Sequence, residues 1–432
     1  PYYKSTGVYS EEHLEDFSKD LVFSAWKVVP RVISSVLSYA AERKMVKNYD
    51  EHPKYSSERK NRSTLLNFNK SDDNYKGMPV LNLIYPFEYF ATEINPLEIS
   101  IDLYEDELAN MWDVIEKVKI NIQNRLEKLV ESIEIEDSSY IDERWYWLAP
   151  LILEENHLKV REERSFFEDI KAIQESEFFK NRGVGFKDHF SNYINSFKDL
   201  NNLSLGKMPN DLFDVLAKIA IAAPGVTIKR SLHLKSDDRL NINKHTIEIA
   251  YAFRNLFNRP ENITLIRGLN INDPYWHRVL DYAMDGNIQS MLDEYVHILY
   301  ESMGLNNIDQ KSALKELKES LINSLSLRTV SLDYDELWKR NNKYKIEKNN
   351  IRCHYALKFG KAKNYQDKTV MRENQVREAF NSPFKPFVLA TTSIGQEGLD
   401  FHQYCHSVIH WNLPNNPVDL EQREGRIHRY KG

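Results

Sequence analysis

The chain has almost no cysteine. Cys353 and Cys405 are the only two among 432 residues. Two thiols build neither a disulfide framework nor a four-cysteine metal site. Their scarcity fits a reducing cytoplasm. No apolar run reaches the length of a membrane span, and no secretory leader is visible at the start. Charge of one sign is also lacking, since the formal net charge is only -6. So weak an imbalance neither demands nor excludes nucleic acid, because local patches decide. No equal-length repeat is evident. The first residue is Pro1 rather than methionine, and the last residues are abruptly basic. Both ends lead us to expect a fragment of a longer protein.

What is present is enough for a large core. Apolar residues make up 41% and aromatics 12%, which excludes wholesale disorder. The length suggests two or three folded units. LVFSAWK (21–27) reads as a short buried strand. The segment after Pro30, VISSVLSYAAERKM, reads as a helix with a proline in its first turn. Strand followed at once by helix signals an α/β fold. Residues 47–78 are polar and read as a flexible loop. From 79 to 349 the pattern is mostly helical, with LANMWDVIEKVKINIQNRLEKLVESI and GNIQSMLDEYVHILYESM clearly amphipathic. The α/β rhythm returns near 351 with a strand IRCHYALKF, a helix VMRENQVREAFN, and strands PFVLATT and CHSVIHWNLP. The expected architecture is an α/β parallel-sheet lobe built from 1–46 and 350–432, interrupted by a large α-helical insertion at 79–349. Neighbouring chain ends make such an insertion physically permissible.

The last expected helix is VDLEQREGRIHRY (418–430). Asn416 suits the N-cap, Pro417 the first helical position, and Asp419 the first turn. Gln422, Arg426 and Arg429 fall at i, i+4 and i+7 and would share a face. Gly425 would cost about 1 kcal/mol in a helix interior. An arginine face suits phosphate, because guanidinium offers a fixed fork of donors. A solvated basic helix is the plain alternative. Upstream, TTSIGQEGLDF follows a buried strand. Gly395 and Gly398 permit tight turning and close backbone approach. Thr391, Thr392 and Ser393 place hydroxyls and N–H groups where a parallel strand ends, the usual ligand edge of such sheets. Glu397 and Asp400 are placed to orient a ribose, a water or an arginine.

Taken in order, ATTSIGQEGLDFHQYCHSVIHWNLPNNPVDLEQREGRIHR resembles motifs V and VI of superfamily 2 helicases, with the Swi2/Snf2-like branch nearest. Motif VI is matched by Gln422, Arg423, Gly425, Arg426 and Arg429. Motif V is matched by Thr392, Ser393, Gly395, Glu397, Gly398 and Asp400. LVFSAWK resembles motif IV. The resemblance covers about 120 residues in two blocks and implies the second of two RecA-like lobes, with ATP and Mg held between lobes. It implies Arg429 as the arginine finger, Arg426 as a second phosphate or inter-lobe contact, and Gln422 as a nucleotide sensor or lobe contact. It puts Asp400, with Glu397 and Gly398, near the nucleotide. Thr391, Thr392 and the chain near Ser24 would touch nucleic-acid phosphates, which give grip but no sequence code.

Two departures stand out. The sequence contains no GxxxxGK[ST] phosphate loop, and DELA (106–109) and DERW (142–145) lack the buried strand that a magnesium-binding acidic motif needs. A complete ATP site therefore requires an N-terminal RecA-like lobe outside this chain, and this fragment alone is expected to be inactive. Within the insertion, Lys229 and Arg230 of AAPGVTIKRSLHLK are candidate nucleic-acid contacts. Trp145, Tyr146 and Trp147 suit either base stacking or helix core. KRNNKYKIEKNN (339–350) reads as a solvated linker that nucleic acid could pass. His402, Cys405, His406 and His410 form no compact zinc set. The expected partner is double-stranded DNA, with a protein partner possible through the insertion and no membrane. The rival readings are an RNA remodeller and a non-enzymatic binding scaffold.

Overall fold

The apolar stretch Lys19–Phe23 is a strand, β1, with Leu21, Val22 and Phe23 buried. In this computed structural model a helix, α1 (Val29–Lys47), follows it. The structure describes residues 1–14, 17–47, 64–71, 74–104, 107–131, 140–161, 166–198, 205–267, 273–327, 330–340, 343–360, 373–392 and 400–428. The chain divides into two units. One comprises Pro1–Glu12 with Ser57–Glu319, the other His13–Ser56 with Ser320–Gly432.

In the second unit α1 is followed, after the long excursion, by strands β2 (Val330–Arg340) and β3 (Lys343–Cys353). Next come β4 (Ala356–Phe359), helix α2 (Glu373–Phe380), β5 (Val388–Thr391), β6 (Cys405–His410) and helix α3 (Pro417–Glu424). Four strands form one sheet in the order β4–β5–β1–β6. Every pairing in it is parallel. Leu21, Phe23, Leu357, Phe359, Leu389 and Cys405 of the strands pack with Val376, Ala379 and Phe380 of α2 and with Phe401. This is the α/β parallel-sheet class read from the sequence.

Several local readings change. IRCHYALKF is not one strand. The Ser38 hydroxyl of α1 accepts the N–H groups of Tyr355 and Ala356, at 3.3 and 3.2 Å, where the chain breaks between β3 and β4. Within the stretch read as helical up to 349, β2 and β3 form an antiparallel hairpin in register from Val330↔Cys353 to Arg340↔Lys343. Within the stretch read as a loop, Lys70–Ser71 pairs with Asn74–Tyr75. The first twelve residues group with the helical unit, not with the sheet. There Asn287 accepts the N–H groups of Tyr2 and Tyr3, at 3.1 and 3.3 Å, and donates to the Tyr3 carbonyl at 3.0 Å.

The helical unit is built around helices Leu212–Ala222 and Pro224–His233, most of whose residues are buried. Gly225 is required at their junction, because a Cβ there would lie 2.4 Å from the Tyr85 carbonyl oxygen. Lys229 and Arg230 lie in this interior, and the reading of them as nucleic-acid contacts is corrected. Lys229 is fully buried. Its ammonium donates to the Pro86 carbonyl at 2.8 Å and pairs with Glu88 at 2.5 Å. Arg230 donates to the carbonyls of Phe90, Ala91 and Ala220 and to Gln289. Cations committed to buried acceptors are not offered to a polymer's phosphates. Trp145 is likewise core, with its indole N–H on the Gly206 carbonyl at 2.9 Å.

Glu154 closes the helix start beside this network by accepting the N–H groups of Glu88 and Tyr89, both at 2.9 Å. Burial pushes its carboxyl up to about 7, against the pull of Lys229 and of those two N–H groups. The folded state therefore holds a proton that the unfolded state has already lost between about pH 4.5 and 7. In that window the unfolded state binds fewer protons, so the contribution of Glu154 falls as pH rises and levels off above about 7. Glu154→Gln should remove this dependence. Compared by urea unfolding, wild type should lose on the order of 3 kcal/mol relative to the variant across the window. A constant difference at every pH would refute the assignment.

Candidate functional site

Because all four strands run the same way, their carboxyl ends share one edge of the sheet. Ladder bonds continue past the strands there. The Ser24 N–H donates to the Thr391 carbonyl at 3.0 Å, and the Trp411 N–H donates to Phe23 at 2.9 Å. Asn412 then turns its amide oxygen back to the Ala25 N–H at 2.8 Å. The sequence reading missed Asn412, although asparagine after a strand is a turn signal.

The three edge residues expected to touch phosphates differ in accessibility. Ser24 and Thr391 are buried. The Ser24 hydroxyl accepts the Trp26 N–H at 3.1 Å. The Thr391 hydroxyl donates inward to Phe359 and Thr392 carbonyls. Only Thr392 of the three is not buried.

The last helix also differs from the expectation. Asn416 caps it by accepting the Val418 N–H at 3.1 Å, and Pro417 and Asp419 occupy its first turn. It ends at Glu424 because Gly425 forms the C-cap, its N–H donating to Glu421 at 2.8 Å. Ending there avoids a glycine in the helix interior. Gln422 stays on the helix and is exposed, whereas Arg426 lies past its end and is buried. The two do not share a helix face. Arg426 is positioned by its own carbonyl, which accepts the Phe401 N–H at 3.0 Å. That bond sets Arg426 beside the chain at Asp400, whose carbonyl accepts from Asn381 at 2.8 Å. Arg429, Glu397, Gly398, Ser393 and Gly395 lie outside the described residues.

Arg423, which spacing had set apart from the arginine face, is buried. It donates to the Asn412 carbonyl at 3.2 Å and lies 5.4 Å from the centre of the Phe23 ring. Its Nε atom is buried and has no hydrogen-bond partner among the described residues. Burial lowers the Arg423 pKa, with Asp419 opposing. His410 stacks on Phe23 and sits 3.8 Å from Glu424. Burial lowers its pKa, Arg423 lowers it further, and Glu424 opposes both. The edge thus gathers a guanidinium, an imidazole and a capped turn around one phenyl ring. Among the described residues no group of three or more His, Cys, Asp or Glu is arranged to hold a metal. Both cysteines are buried.

The carboxyl edge of an open parallel sheet is where such folds usually bind their ligands. Residues 339–431 match the family described as the helicase conserved C-terminal domain. A protein from Bacillus subtilis (strain 168), "Uncharacterized ATP-dependent helicase YqhH", is 52% identical over 42 residues. That match spans 10% of this chain and 7% of the relative's length. No solved structure matches the chain. The family similarity is confined to this C-terminal segment of the chain.

Replacing Arg423 tests the electrostatics of this edge. In Arg423→Ala the pKa of His410 should rise, because a neighbouring positive charge is gone and the ring is less enclosed. A histidine NMR titration reads this directly, and an unchanged or lowered value would contradict the described geometry.

Proposed function

We propose that this chain is the C-terminal portion of an ATP-dependent translocase of the Snf2-like type that acts on double-stranded DNA. The observation that carries the reading is the buried Arg423 at the carboxyl edge of a parallel sheet, within the helicase-family match. Arg426 and Asp400 stand on adjoining backbone segments. On this reading Arg429 is the arginine finger and Arg426 the second phosphate or inter-lobe contact. Gln422, exposed on α3, meets the opposite lobe. Glu397, Gly398 and Asp400 line the nucleotide. The phosphate cradle and the magnesium ligands belong to a first lobe, because this sequence carries no such loop. Thr392 is the edge hydroxyl offered to the polymer's backbone. The helical unit serves as a platform for the polymer or for a protein partner, and the protein works in the cytoplasm.

Guanidinium near a transferring phosphoryl group stabilises the charge that spreads over its oxygens. The test is ATP hydrolysis by the whole protein containing this chain, with no polymer, duplex DNA, single-stranded DNA or RNA. Duplex DNA should stimulate turnover most. Arg429→Ala should lower kcat by about a thousandfold or more, with duplex affinity retained. Strongest stimulation by RNA would replace the DNA reading with an RNA remodeller. No hydrolysis by a folded protein would leave a binding scaffold.

A further inference from the structure

Asn412 has no role in the assignment above, yet it joins two sides of the site. Its side chain and its main chain serve different elements. The amide oxygen accepts the Ala25 N–H at 2.8 Å and the Ser24 hydroxyl at 3.4 Å, where β1 ends. The main-chain carbonyl accepts from the Arg423 guanidinium of α3 at 3.2 Å. One residue thus holds the turn after a strand 387 positions away and a helix residue 11 positions on.

The ordinary use of asparagine after a strand is local, because its side chain takes a backbone N–H two residues on and closes a turn. Here the second residue on is Pro414, which has no N–H to offer. The amide oxygen reaches across to β1 instead. The fold does not require that contact. Ala25 is exposed, so water can take its N–H. The Ser24 hydroxyl has a second acceptor in the Trp26 carbonyl, at 3.5 Å.

The Arg423 end is more demanding. A guanidinium carries five N–H donors in a fixed fork. Among the described residues the buried Arg423 side chain makes one hydrogen bond, to Asn412, and its Nε has none. The Phe23 ring attracts the charge but does not fix the direction of the fork. The Asn412 carbonyl therefore aims the guanidinium. On the other side, the Ser24 N–H donates to the Thr391 carbonyl at 3.0 Å, one residue before the hydroxyl offered to the polymer. Hydrogen bonds thus run from the sheet edge through Ser24 and Asn412 to α3.

We propose that Asn412 is a positioning residue that couples the polymer edge to the arginine helix, its side chain following the end of β1 and its carbonyl aiming Arg423. The inference rests on the motor reading above and names the link by which polymer binding reaches the nucleotide side. A bound polymer that displaces the turn after β1 moves Asn412, and the movement passes to α3.

ATP hydrolysis by the whole protein containing this chain, with and without duplex DNA, tests the coupling. Asn412→Ala should leave the polymer-free rate unchanged and lower the duplex-stimulated kcat about tenfold or more. The duplex concentration for half-maximal stimulation should stay within about twofold of wild type. Asn412→Asp should restore stimulation, because a carboxylate oxygen accepts the same N–H and hydroxyl. Both variants should melt at the wild-type temperature. A second readout, in this chain, needs no polymer. Burial lowers the His410 pKa and Arg423 lowers it further, so loss of the aimed guanidinium in Asn412→Ala should let it rise in a histidine NMR titration. Equal stimulation of Asn412→Ala and wild type refutes the coupling and leaves the motor reading standing. Basal and stimulated rates that fall together, with a lower melting temperature, make Asn412 structural only and overturn the proposal. An unchanged His410 pKa refutes the aiming of Arg423 even where stimulation is lost. If no polymer stimulates the wild-type protein, the motor reading falls and the coupling with it.

Discussion

The C-terminal unit depends on one short strand from the far end of the chain. β1 lies between β5 and β6 and pairs with both. Without Lys19–Phe23 the sheet would be two separated pieces, β4–β5 and β6. The edge geometry depends on the same strand. Trp411 hangs from the Phe23 carbonyl, and Ser24 reaches across to Thr391. Arg423 and His410 both sit against the Phe23 ring. The family match covers residues 339–431 and so omits this strand. A domain that looks continuous in that segment is completed by residues over three hundred positions upstream.

The helical unit is held by a different principle. Its interior buries Lys229, Arg230, Glu88 and Glu154 together. Burial alone would raise the Glu88 carboxyl, but Lys229 and His233 hold it well below the usual range. Glu154, only two N–H groups away from the same network, is shifted the other way. Two carboxyls near one ammonium thus divide their roles, one ionised and paired, the other holding its proton up to about pH 7. Such a network contributes through geometry rather than net attraction, since leaving one member unpaired is far costlier than the pair is favourable.

Local chemistry was legible in the sequence where one residue decides the outcome. Asn416 and Pro417 announced the start of α3, and the apolar runs announced β1, β5 and β6. The fold class followed from their order. The end of α3 was misjudged because Gly425 is tolerable inside a helix and better as its cap, and periodicity cannot tell the two apart. Lys229 and Arg230 were misjudged for a deeper reason. Whether a cation is solvated depends on carbonyls and carboxylates supplied by distant residues such as Pro86 and Phe90. The hairpin was hidden by its polarity, although SLDYDEL alternates with the period of a strand. At the site, the arginines and the strand edge could be read, but the inward turn of the Thr391 and Ser24 hydroxyls could not.

The central position of β1 also sets a schedule. Val22 pairs with Ala390, and the difference of the two positions is 368 residues. A ribosome adding about 5–20 residues per second needs roughly 20–70 s to make that stretch. Throughout that interval an apolar strand has emerged and has no neighbour. Residues Pro1–Glu12 group with the helical unit, and Asn287 holds Tyr2 and Tyr3 there. The newborn protein can therefore fold its helical body and moor residues 1–12 to it before the sheet exists. Only positions 13–18 of the sequence then lie between those moored residues and the waiting strand. The strand's wait becomes a tethered one, in which aggregation competes with a partner that the same chain has yet to deliver.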